Sequence, residues 1–154
     1  MMADPVADAI LGAVRERLVA STDLQVYVGV DGTTSDPSAA RVYLKWAVDA
    51  AVAVYPAVTL YLERAKLDVT MPRMWNPGFV LLSFYSNLDP QEAITMYEIC
   101  SRLLHAQRWA LALNTLNVCV KEVVERDVRG PVWVEATHCW RRDALYRIRA
   151  SVSD

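Results

Sequence analysis

Apolar side chains recur at helical spacing near the start of the chain: Val6, Ile10, Val14 and Leu18, with Leu11 beside them. Arg15, Glu16 and Arg17 occupy the other side, so the spacing predicts an amphipathic helix from Asp4-Pro5 to about Ser21. Asp accepts from the first free amides of a helix, and Pro suits its first position. Residues 25–30 read as a short extended piece, followed by the turn formers Asp31-Gly32-Thr33-Thr34-Ser35-Asp36-Pro37. In residues 41–48, Val42, Leu44, Trp46 and Val48 alternate with Tyr43, Lys45 and Ala47. Helical spacing through Leu44, Val48 and Ala51 also fits, but the preference of Val, Tyr and Trp for a pleated surface favours a strand.

Residues 57–64 alternate more clearly, with Val58, Leu60 and Leu62 opposite Thr59, Tyr61 and Glu63. Residues 66–77 form an irregular excursion broken by Pro72 and Pro77. The continuous apolar run at 78–86 suits a buried central strand. Asp89-Pro90-Gln91-Glu92 then joins an acidic cap, Pro at the first position and Glu at the third, a variant of the capping box. The helix it opens buries Ala93, Met96, Tyr97, Cys100, Leu103 and Leu104, and turns Thr95, Glu98, Arg102 and His105 outward. Period two returns with Val118, Val120 and Val124. A turn is expected at 126–131, around Gly130-Pro131. Residues 132–140 and 145–152 then close a hairpin across Arg141-Arg142-Asp143, with Tyr146, Ile148, Ala150 and Val152 on its core face. Helix, strands, helix, strands without regular alternation describes an α+β fold: a mostly antiparallel β-sheet with two main α-helices packed on one face.

The length of 154 residues fits a single domain, residues 1–154. With 54% hydrophobic and 22% charged residues, the chain can build a core and is not of a disordered class. Sixteen Lys+Arg against eighteen Asp+Glu leave a net charge of -2, which argues against a protein built to grip nucleic acid. The uncharged runs at 50–62 and 74–88 fall short of the about 18 residues of a membrane span, so no membrane partner is expected. Met1-Met2-Ala3-Asp4-Pro5 lacks the basic and apolar regions of a signal peptide. Cys100, Cys119 and Cys139 have no C-x-x-C spacing, consistent with free thiols in a reducing compartment.

Candidate chemistry is sparse. The chain has no G-x-S-x-G, P-loop, dinucleotide or H-E-x-x-H motif, and only two histidines. No cofactor, metal or catalytic residue is expected. His138 and Cys139 are neighbours, which a strand would point to opposite faces. A thiol-dependent enzyme using Cys100 or His138 is the weaker alternative. Two segments suit protein contact better. Met71, Met74 and Trp75 concentrate apolar surface in the Pro-bounded excursion. Arg141, Arg142, Arg147 and Arg149 lie in the Arg-rich end, where Arg126 and Arg129 also fall against Asp127, Glu135 and Asp143.

The order of segments resembles a known family. After the first helix come Arg41-Val42-Tyr43, then Tyr55-Pro56-Ala57-Val58-Thr59-Leu60. Leu81-Leu82-Ser83-Phe84-Tyr85-Ser86-Asn87 follows, then a helix with Tyr97 and Leu103-Leu104 and a closing β segment. Across residues 7–151 this succession resembles the tail terminator, or tail completion, proteins of long-tailed bacteriophages. The resemblance implies a structural protein, made in the host cytoplasm and placed in the virion neck. It implies a homo-oligomeric, commonly hexameric, ring that caps the tail tube and joins it to the head connector or stopper. Genomic DNA would pass its lumen without sequence-specific binding. Another head–tail joining protein, an adaptor or stopper, is the nearest alternative. The family has no catalytic residues to carry over.

Overall fold

The computed structural model describes residues 5–29, 41–44, 55–63, 76–113 and 116–153. Their elements run α1 (Pro5–Val19), α2 (Thr22–Val28), β1 (Val42–Leu44), β2 (Ala57–Glu63), β3 (Asn76–Ser86), α3 (Pro90–Leu104), β4 (Trp109–Leu113), β5 (Leu116–Val134) and β6 (Cys139–Ser153). The strands make one six-stranded sheet in the order β1-β2-β3-β6-β5-β4. Among the described residues only β1 and β2 pair in parallel. This is the expected α+β fold.

Burial shows which face carries the helices. Val58 and Leu60 of β2, Val80, Leu82 and Phe84 of β3, and Ala144, Tyr146, Ile148, Ala150 and Val152 of β6 are all buried. These residues alternate along their strands and therefore share one face. Against them pack Ile10, Leu11, Val14 and Leu18 of α1, and Ala93, Met96, Ile99, Cys100 and Leu104 of α3. Each large side chain buried this way contributes about 1.5–3 kcal/mol. Tyr97 and Leu103, expected in this layer, are only half-buried, while Ile99 takes a core position.

Several local expectations are corrected. Residues 25–28 are helical, not extended. The Ser21 side chain accepts from the Leu24 N–H at 3.3 Å, and α2 then buries Leu24 and Val28 one turn apart. Arg41 fastens the end of this helix by donating to the carbonyls of Tyr27, Gly29 and Pro56 at 2.7–2.8 Å. Asn76 and Pro77 belong to β3, extending it past Phe79, where its pairing with β2 ends. Residues 31–37, 45–54 and 64–75, including Met71, Met74 and Trp75, lie outside the described residues.

The largest correction concerns the closing hairpin. Its turn is at 135–138, so Arg141, Arg142 and Asp143 lie inside β6, and the expected turn at 126–131 lies inside β5. β5 absorbs its irregular stretch through register shifts at Val120/Glu122, Glu125/Asp127 and Arg129/Val132. Each extra residue moves later side chains to the other face. Val123 is therefore buried, while Val124 faces away. Gly130 makes the third shift possible: its φ is +87°, and a Cβ there would stand 2.6 Å from the Arg141 carbonyl oxygen.

Candidate assembly surfaces

The hairpin of 19-residue β5 and 15-residue β6 carries the exposed chemistry. Its face away from the helices forms cross-strand rows with β2 and β3. Phe79, Arg147 and Val124 lie side by side, then Tyr61, Leu81, Leu145 and Asp127, then Thr59, Ser83, Asp143 and Arg129. Phe79 and Tyr61 are 37% and 38% exposed. Between the second and third rows a cleft of about 360 Å³ is lined by Leu81, Leu145, Asp127, Arg129 and Asp143. Ser83 Oγ donates to Asp143 at 2.6 Å, and Arg129 Nε donates to Asp127 at 2.9 Å. The cleft thus has two leucines flanked by acidic and basic groups.

At the turn end of the hairpin the helix-side face is different. Trp133 and Trp140 pair across the strands, edge to face at 5.5 Å, with His138 6.3 Å from Trp133. Trp133 remains 45% exposed, and its indole N–H donates to Glu135 at 2.8 Å. Leu88, 73% exposed, follows Ser86, the partner of Trp140 in β3. Trp133 is the most exposed aromatic side chain among the described residues.

The four candidate arginines do not form one patch. Arg142 points to the helix side, lies 4.4 Å over the Tyr97 ring and donates to the Gly130 carbonyl at 2.6 Å. Arg141, Arg147 and Arg149 are on the opposite face, with Arg141 3.3 Å from Asp143 and Arg149 3.9 Å from Glu122. Sequence spacing put Arg147 and Arg149 on one face but left Arg141 and Arg142 in the turn, so neither the split of Arg142 from the others nor that of the tip from the cleft was legible: both depend on where the turn falls. Val132 and Trp133 were legible only as strand residues.

Polar side chains of α3 bond to β5. Tyr97 and Ser101 of α3 both donate to Glu125 of β5, Ser101 at 3.1 Å. His105 Nδ1 accepts from the Glu125 backbone N–H at 3.0 Å, and Ala106 N–H donates to the Val123 carbonyl at 2.8 Å. These bonds pin the end of α3 to bulged β5, beside a shallow groove of about 470 Å³ lined by Tyr97, Glu98, Ser101, Arg102 and His105. Burial, and then Glu125, push the Tyr97 hydroxyl pKa up. The Ser101 hydroxyl is spent on a carboxylate and His105 on a backbone amide, so no Ser–His relay is assembled.

Cys100 is fully buried beside Tyr146, and burial raises its thiol pKa far above the usual value. His138 is a turn residue with φ +49°, not a strand residue. It stands eight residues from Tyr146, about 27 Å at about 3.4 Å per residue, so Cys100 and His138 are not brought together. Among the described residues no three His, Cys, Asp or Glu side chains gather as metal ligands. Among them, too, no helix is long and apolar enough to cross a membrane.

No family model matches the chain, and no curated protein matches it. Among solved structures, it is similar in fold to a chain of the virion of a native gene transfer agent (GTA) particle. The TM-score is 0.63 at 18% identity, and the match covers 97% of this chain and 99% of that one. Two chains of matching extent therefore share one α+β architecture from end to end.

Proposed function

We propose that this protein is a non-enzymatic structural component of a phage-like particle: a tail terminator whose homo-oligomeric ring, a hexamer by the family resemblance, caps the tail tube. Its outer face joins the head connector, and DNA passes the lumen without sequence-specific contact. The observation that supports this most is the end-to-end fold likeness to a chain of a gene transfer agent virion. The order of segments across residues 7–151 supports the finer assignment. A closed ring needs two different complementary surfaces on each subunit. The open sheet face with Arg141, Arg147 and Arg149 is one candidate. Met71, Met74 and Trp75 are kept as candidates for contact with the tube or a neighbour.

Electron microscopy of the purified protein, alone and with purified tail tubes, tests this reading. Six-fold rings at tube ends and arrested tube growth are expected. Binding at the connector with tube ends left bare would assign an adaptor or stopper instead. A protein that stays monomeric in both settings would overturn the ring.

A further inference from the structure

We infer that copies of this chain join head-to-tail, the Trp133 tip of one hairpin entering the Leu81–Leu145 cleft of the next; this rests on the ring reading above. Trp133 lies on the helix side of the hairpin and the cleft on the other. Trp140, opposite Trp133, is five residues from Leu145, about 17 Å along the strand. A side chain so placed cannot fill its own molecule's cleft, so any indole that enters comes from another copy.

Size and charge agree with that occupant. The cleft of about 360 Å³ is at the small end of the about 300–1,000 Å³ typical of ligand pockets, suited to one large side chain. Its leucines meet the apolar ring, and Asp127 or Asp143 can accept the indole N–H. Glu135, which holds that N–H in the free subunit, would then face Arg129, whose side chain is 81% exposed at the rim. Acid on the tip thus meets base on the rim.

The described edge of β5 is a poorer joint. Among the described residues β4 pairs with Leu116–Val120, and His105 and Ala106 bond the edge at Val123 and Glu125. Beyond them Pro131 lacks an N–H, and β5 is bulged by its register shifts against β6.

The test uses two surface variants of the full chain, Trp133→Ala and Arg129→Glu, with light scattering in solution and microscopy on tail tubes. Each alone should weaken self-association at least about tenfold, as expected for an interface anchor, while circular dichroism shows both variants still folded, Trp133→Ala losing its contact with Trp140. Mixed one to one, the intact cleft of the first variant accepts the intact tip of the second, giving heterodimers that cannot propagate. Rings formed by Trp133→Ala as by the wild type, or mixed variants that stay monomeric while the wild type assembles, would overturn this contact and leave the ring standing. Wild-type protein that never associates, even on tubes, would overturn both.

Discussion

The Cys100 thiol ionises with difficulty because nothing in the core replaces the water its thiolate would need. Only the thiolate attacks an alkylating reagent. Cys139 is also buried and contacts Thr137 Oγ1 at 2.8 Å, whereas Cys119 is half-buried on the open sheet face. Iodoacetamide at pH 8 should therefore modify Cys119 first, leaving Cys100 and Cys139 until denaturation; mass spectrometry of native and urea-treated protein reads this. Early labelling of Cys100 would revive the thiol-enzyme alternative. Gly130 carries a different single-residue constraint, combining a left-handed φ with the 2.6 Å approach described above. Gly130→Ala should cost about 1–3 kcal/mol in chemical denaturation, although the position is exposed.

The entry to α3 shows how an element's local code is completed by its neighbours. Asp89 caps as its sequence predicts, accepting from Glu92 N–H at 2.7 Å. Glu92, however, does not close a capping box onto Asp89; its carboxylate accepts from Ser86 Oγ at 2.7 Å. That hydroxyl in turn accepts from the N–H groups of Leu88 and Asp89. Asp89→Ala should cost about 1 kcal/mol, the usual loss of a cap. Ser86→Ala should cost more, up to about 3 kcal/mol, because it removes three hydrogen bonds made by a fully buried hydroxyl. Urea titrations of the two variants compare them directly. In α2 the reverse occurred: Gln25-Val26-Tyr27-Val28 looks extended by composition, yet the Ser21 cap and the burial of Leu24 and Val28 make it a helix.

At the scale of the molecule, α1 and α3 seal one face of the sheet; on the other, Thr59, Ser83 and Tyr85 are buried while Tyr61 and Phe79 stay exposed. That second face is neither uniformly polar nor uniformly apolar. Its leucines and aromatics alternate with ion pairs such as Arg129–Asp127, whose exposed charges contribute little to stability. Their value lies in setting which partner fits and in which register. Aromatic tip and cleft sit on opposite sides of one hairpin, a geometry that suits repeated assembly better than a two-fold dimer.

Local periodicity and turn chemistry determined much by themselves: α1, α3 and its cap, the central β3, and the core face of β6 are all legible in residues no more than a few positions apart. The α+β class follows from their order. Tertiary structure decided what depends on distant partners. It carried β5 through Gly130-Pro131, since pairing with β6 outweighs a local turn signal, and it changed the facing of Val123 and Val124 through a bulge that no period of two can show. It also placed Trp133 and the Leu81–Leu145 cleft on opposite faces, because strand register, which no short segment encodes, sets which side chains become neighbours.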